Sequence, residues 1–241
     1  MMLIDPDWPA VAGVGAVQTT RRGGISQRCW TSFNLGLHCG DDPEAVAENR
    51  RRLAMHLPAA PRWIRQVHGS HLVGPEQWQP DIEADAAWTD RPGQVLAILT
   101  ADCLPILLAS RHDRLVAAIH AGWRGLAAGI IARAVDALPA EPASLQAWIG
   151  PGISADHYEV GAEVRDVMVA RHPELAMAFA RNAAGRFQAD LKAVARWQLR
   201  ASGVGLVLDS GLCTATDSER FFSYRRDQGR TGRQATLVWI E

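Results

Sequence analysis

The chain has 241 residues, a formal net charge of -1, 48% hydrophobic and 21% charged residues, which is globular composition rather than that of a disordered or collagen-like chain. No overall basic field is present to attract nucleic acid, and the local run Arg50, Arg51, Arg52 reads as one solvated helix face. The richest apolar stretch is interrupted by Thr100, Asp102, Pro105 and Ser110, well short of the ~18 uninterrupted residues of a membrane span.

The opening MMLIDPDWPAVAG has neither a basic n-region nor a long apolar h-region, so a cytoplasmic protein is expected. The four cysteines, Cys29, Cys39, Cys103 and Cys213, form no CxxC pair and are expected as reduced thiols. Asp42 followed by Pro43 predicts an N-cap and a helix running to about Leu57. Strands are predicted over Trp63–Val67, Val95–Leu99 and Leu115–Ile119. Trp123, Leu126, Ala127, Ile130, Ile131, Ala134 and Leu138 then follow helical spacing and predict one helix with one buried face. Pro139 to Pro142 reads as the connection to a strand over Leu145–Ile149. Val164, Val167 and Met168 predict another helix, Asp190 caps one that stops near Gly203, and strands follow over Leu206–Leu208 and Leu237–Ile240. With no repeat or linker, residues 1–241 read as a single domain of α/β (α+β) class.

His68, Cys103 and His120 each follow the carboxyl end of a predicted strand, directly or within four residues. Ligands gather at such ends in α/β proteins. The spacings are far too long for a zinc knuckle and fit three neighbouring strands that each deliver one metal ligand, with the fourth position open. Gly69 follows His68, and Gly122 and Gly125 bracket Trp123–Arg124; a glycine turn into a helix would face free N–H groups toward an anion, with Arg124 assisting. Each residue also has a plainer reading. A cysteine such as Cys103 packs as a small hydrophobe, and a histidine such as His68 serves as a hydrogen-bonded structural group. His71 competes with His68 as ligand, and His38 beside Cys39 and Gly40 reads as a turn.

The ordered series Asn34-Leu-Gly, Gly40-Asp-Asp42, Asn49-Arg50, Gln66-Val-His-Gly69, Asp85-Ala86, Thr100-Ala-Asp-Cys-Leu-Pro105, His120-Ala-Gly-Trp-Arg-Gly125, Ile149-Gly-Pro-Gly-Ile-Ser154, Tyr158-Glu-Val160, Asp190-Leu191, Cys213-Thr214, Phe222-Ser-Tyr-Arg-Arg-Asp227 and Thr231-Gly-Arg233 resembles the YfiH family. That family is also called the laccase-domain or multicopper polyphenol oxidase family. The resemblance implies a layered α/β/β/α fold with mixed sheets, shared with certain bacterial toxin cysteine hydrolases. It also implies a zinc site at His68, Cys103 and His120. The implied activities are phosphorolysis of adenosine, inosine and methylthioadenosine to free base and a ribose 1-phosphate, together with adenosine deamination. Purine nucleosides and phosphate are then the expected small-molecule partners, and a monomer or small homo-oligomer the expected assembly.

Zinc with three protein ligands lowers the pKa of its water to ~7, and zinc deaminases add a carboxylate that shuttles the proton. Asp85 and Asp102 are the candidates. Asp102 adjoins Cys103, so in an extended segment their side chains point apart, which favours Asp85. Arg225 is the candidate phosphate ligand, because a guanidinium fork matches phosphate; a surface salt bridge is its plainer reading. Asn34 either binds base or ribose or holds its own turn. Two alternatives remain. A copper-dependent polyphenol oxidase is disfavoured because the eight histidines include no His-x-His pair and none of the five methionines lies near the proposed ligands, although the site could take copper in vitro. A metal-free cysteine hydrolase would use Cys103 activated by His120.

Overall fold

The computed structural model describes residues 2–241. Its strands, in chain order, are β1 (Leu3–Ile4), β2 (Val14–Thr19), β3 (Arg62–Trp63), β4 (Leu72–Val73), β5 (Ala86–Thr89), β6 (Leu96–Thr100), β7 (Leu104–Ser110), β8 (Val116–Ala121), β9 (Leu145–Ile149), β10 (Glu159–Val160), β11 (Phe179–Arg181), β12 (Phe187–Ala189), β13 (Leu206–Asp209) and β14 (Gln234–Ile240). The α-helices are α1 (Pro43–Ala54), α2 (Trp123–Ala127), α3 (Ile130–Ala137), α4 (Ala162–Val169) and α5 (Leu191–Ala201). They build a five-stranded sheet ordered β1-β2-β14-β6-β3, a six-stranded sheet ordered β13-β9-β7-β8-β5-β4, and a small three-stranded sheet ordered β10-β12-β11.

Strand alternation decides the layering, because successive side chains leave a strand on opposite faces. Leu96, Ile98, Val238 and Ile240 of the five-stranded sheet meet Leu107, Ala109, Val116, Ala118 and Trp148 of the six-stranded sheet in one buried cluster. The in-between residues turn outward. Leu104, Ile106, Leu108, Ala117 and Ile119 pack under Leu126, Ile130, Ile131, Val164, Met168, Val194 and Leu199 of α2 to α5. On the other flank Val17, Ala97, Ala235 and Leu237 pack with Phe33, Leu35 and Leu53, the last from α1. Four layers, α/β/β/α, result. Strands apolar on both faces are what a sheet covered on both sides requires, and each fully buried Leu or Ile contributes ~1.5–3 kcal/mol.

Asp42 caps α1 by accepting from the Glu44 N–H, and Asp190 caps α5 by accepting from the Ala193 N–H. The strand over Leu145–Ile149 is observed as predicted. Several expectations change. The helix predicted through residues 123–138 is two helices, because Gly129 adopts φ 80° between α2 and α3; the buried face survives the break. Val167 on α4 is exposed. The strand expected over Trp63–Val67 shrinks to Arg62–Trp63 plus a bridge from Arg65 to Glu83. Strand β7, buried along its whole length like β8 and β9, is concealed in the sequence by Pro105, whose missing N–H is tolerated because it precedes the first residue paired with β9. Arg50 does not share a solvated face with Arg51 and Arg52: it stacks 4.2 Å over the Trp63 ring and donates to the Leu35 carbonyl, while its two neighbours pair with Glu48.

Candidate metal centre

The chain passes from the five-stranded to the six-stranded sheet between β3 and β4, and again between β6 and β7. His68 lies on the first crossover and Cys103 on the second, while His120 projects from within β8, opposite Pro105 of β7. Three neighbouring strand ends were expected to supply the ligands; instead two sheet-to-sheet crossovers and one strand interior do so. The site therefore sits at the seam between the sheets. One ligand atom from each of the three residues lies within 4.8 Å of the others, and this is the group of His, Cys, Asp or Glu side chains, among the described residues, placed to hold a metal ion. The two imidazoles meet edge to face, with centroids 4.8 Å apart.

Asp85, the residue before β5, organises this centre. Its carboxylate accepts the Val67, His68 and Gly69 N–H groups at 3.2, 2.9 and 2.6 Å, and its Oδ1 lies 2.7 Å from His120 Nδ1. Three consecutive amides wrapped on one carboxylate hold His68 in a left-handed conformation at φ 58°, a strain that persists only because the surroundings enforce it. An ionised carboxylate can only accept, so His120 donates from Nδ1 to Asp85 and turns Nε2 toward the Cys103 thiol. Asp85 is 0% exposed. Both of its oxygens face amides and the His120 ring.

Burial opposes ionisation of the Cys103 thiol, but hydrogen bonds and charge from His120 and His68 outweigh it and bring the thiol down to about 6. Burial likewise disfavours the His120 imidazolium, yet Asp85 and Cys103 raise it to about 9. Asp85 itself is held below the usual carboxylate range: burial pushes it up, and His120 with the Gly69 and Val67 amides overrides that. Gly122 forms the floor. A Cβ there would stand 2.9 Å from Cys103 Sγ and 3.2 Å from His68 Cδ2, so only glycine leaves room beside the ligands.

Asp102 precedes Cys103 with φ 90° and is buried. It accepts from Thr214 Oγ1 and from the Arg225 N–H, both at 2.6 Å, and so ties the Cys103 turn to the segment that carries Arg225. The Arg225 guanidinium lies 4.7 Å over the Tyr158 ring and donates to the Glu159 carbonyl. Burial, then the nearby Cys103 charge, pushes the Tyr158 phenol up to about 12, so it stays a proton donor. Sequence reasoning gave Tyr158 and Thr214 no role, although both fall in quoted motifs; no local pattern distinguishes them. Asn34 is fully engaged. It donates to Gly36 O and Asp41 Oδ2, and its Oδ1 accepts from the Gly36 and Arg233 amides, so its side chain holds its own turn. His71 is exposed on a separate groove beside Arg133 and Asp136, and His38 is exposed. All four cysteines are free thiols, and no described helix is long and apolar enough to cross a membrane.

Two sandwiched sheets flanked by helices, with a His-Cys-His cluster at their seam that could hold a metal ion, define a mixed α/β protein. Residues 15–241 match the family model described as multi-copper polyphenol oxidoreductase laccase, and the chain belongs to that family. It is 50% identical over 239 residues to purine nucleoside phosphorylase PA4543 of Pseudomonas aeruginosa, covering 99% of this chain and 98% of the relative. It is 43% identical over 241 residues to purine nucleoside phosphorylase YfiH of Escherichia coli, covering 99% and 98%. The crystal structure of Neisseria meningitidis protein NMB0706 superposes with a TM-score of 0.95 at 43% identity, covering 99% of each chain. The resemblance to the YfiH family read from the motifs is thus borne out.

Proposed function

We propose that this chain is a zinc-dependent purine nucleoside phosphorylase that cleaves adenosine, inosine and methylthioadenosine to free base and a ribose 1-phosphate (or its 5-methylthio form), and that also deaminates adenosine. The observation carrying this reading is the convergence of His68, Cys103 and His120 ligand atoms within 4.8 Å, with Asp85 behind His120. Relatives 50% and 43% identical over nearly their whole length bear the name purine nucleoside phosphorylase.

The donor set fits zinc. Two imidazoles and a thiolate suit that ion, a carboxylate on the far nitrogen of a ligand histidine is its usual support, and Gly122 keeps the adjacent space clear. When bound, zinc supplies Lewis acidity and a water of lowered pKa. The chain's own groups do the rest. Asp85 fixes the His120 tautomer and, through three amides, the His68 backbone. Asp102 fixes the Arg225 backbone relative to Cys103. Arg225, placed over the Tyr158 ring, would offer its remaining N–H groups to phosphate. In phosphorolysis a phosphate oxygen bonds to C1′ as the C1′–N9 bond breaks, and the departing base takes up a proton. The neutral Tyr158 phenol, with the Arg225 and Arg124 guanidiniums near it, would supply that proton and offset the developing charge.

Purified protein should carry about one zinc per chain and release hypoxanthine from inosine only when phosphate is supplied. Product analysis with and without phosphate separates phosphorolysis from hydrolysis. Full zinc content and full activity in Cys103→Ala would defeat the assignment. A metal-free cysteine hydrolase is favoured by one observation, the His120 ring set between the Asp85 carboxylate and the Cys103 thiol; alkylation of Cys103 that zinc does not block would select it. Turnover of phenols that appears only with added copper would select the oxidase reading, which the description of the family model names.

A further inference from the structure

We propose that the groove between residues 28–30 and 227–230 is a second ligand site, built for a nucleoside monophosphate and separate from the His68–Cys103–His120 centre. The groove encloses about 560 Å³, within the ~300–1,000 Å³ range of small-molecule sites. Arg21, Arg28, Trp30, Asp227, Gln228 and Arg230 line it. Among the described residues Arg28 and Arg230 form no ion pair, and both are exposed. Arg21 stacks 4.6 Å over the Phe222 ring and spends Nε and Nη1 on the Thr31 and Ser218 carbonyls, which leaves Nη2 uncommitted. Its pKa is lowered by burial and then by the neighbouring Arg226 charge, a crowding of like charge that a bound anion relieves.

The one acidic residue in the lining, Asp227, offsets this field only in part: its charge acts on Arg21 after burial and Arg226. Asp227 is already held by both Nε and Nη2 of Arg226, at 2.8 and 2.9 Å, and by Thr231 Oγ1 at 2.8 Å. Three guanidiniums therefore face a groove without a free carboxylate, the arrangement that a phosphate dianion satisfies. The lining also holds an aromatic residue. Trp30 is fixed by its indole N–H on the Cys39 carbonyl at 2.9 Å, giving a rigid surface for a planar base. Both lips are strained: Arg28 at φ 56° and Gln228 at φ 50° are non-glycine residues in the left-handed region. The other such residues include His68 and Asp102, so the same kind of outlier marks the metal centre.

Calorimetry with adenosine 5′-monophosphate, inorganic phosphate and adenosine on the full chain tests the site. The monophosphate should bind the parent and Cys103→Ala alike, and more tightly than phosphate alone. The double variant Arg28→Ala/Arg230→Ala should lose roughly tenfold in affinity for each guanidinium while inosine turnover and the thermal melt stay as in the parent. Trp30→Leu should weaken the monophosphate and leave phosphate unchanged. Unchanged monophosphate affinity in the double variant, abolition by Cys103→Ala, or phosphate binding as tightly as the monophosphate each overturns the proposal. Because the Cys103→Ala arm does not depend on turnover, failure here leaves the metal-centre reading intact.

Discussion

Replacing Asp85 by asparagine changes one oxygen to an NH₂ group in a site that supplies four donors and no acceptor. In the parent the carboxylate receives the Val67, His68 and Gly69 amides and His120 Nδ1, all between 2.6 and 3.2 Å. Asparagine can keep the donors on one oxygen only; its NH₂ then faces at least one N–H with nowhere to turn, since the residue is wholly buried. A hydrogen bond to a charged partner is worth ~1.5–3 kcal/mol, and removing the carboxylate behind a ligand histidine lowers metal affinity ~10–100-fold. Asp85→Asn should therefore bind zinc ~10–100-fold more weakly in a chelator competition, and a thermal melt of the metal-free protein should show the lost hydrogen bond as a lower Tm. Activity should return in part when zinc is raised, because the defect lies in holding the ligands. Zinc affinity within threefold of the parent, or activity lost at saturating zinc, would refute the reasoning and restore a direct proton-transfer role for Asp85.

The pH dependence of metal uptake follows from the two shifted groups. Ligation requires neutral His120 and ionised Cys103, so between about 6 and about 9 one proton leaves His120 for each ion bound, and apparent affinity should rise close to tenfold per pH unit. Below about 6 the thiol adds its proton and the dependence steepens; a flat profile from pH 6 to 8 in buffered competition titrations would contradict the His120–Cys103 coupling. Gly122→Ala places a methyl 2.9 Å from Cys103 Sγ; metal content after dialysis should fall at least tenfold with near-parental circular dichroism, and an unchanged metal content would show that the ligands yield freely. Arg225→Lys removes the planar fork yet keeps the charge, so the KM for phosphate should rise several-fold with kcat for inosine less affected; an unchanged KM would place phosphate elsewhere.

Local chemistry was enough to read what depends on neighbouring residues. Asp42-Pro43 and Asp190 announce the starts of α1 and α5 because capping is settled within one turn. The apolar run Leu145–Ile149 announces β9 because a strand buried on both faces needs little else. The members of the candidate cluster were legible too, since imidazole and thiol at His68, Cys103 and His120, set in the full motif series, carry their chemistry in the residue type, and the structure brings them together. Three other features were not legible, because each belongs to contacts between segments remote in sequence. The division of Trp123–Leu138 into two helices depends on Gly129 taking φ 80° where α2 turns against the sheet. The reach of His68 depends on three amides closing around Asp85, which local sequence presents as an ordinary carboxylate before a strand. The engagement of Asn34 by Arg233, and of Asp102 by Thr214 and Arg225, joins opposite ends of the chain. Sequence determined which atoms can bind an ion and which segments prefer helix or strand; only the packing of one sheet on the other decided that two crossovers and one strand bring those atoms together, because that distance is set by side-chain volume between layers rather than by any neighbour along the chain.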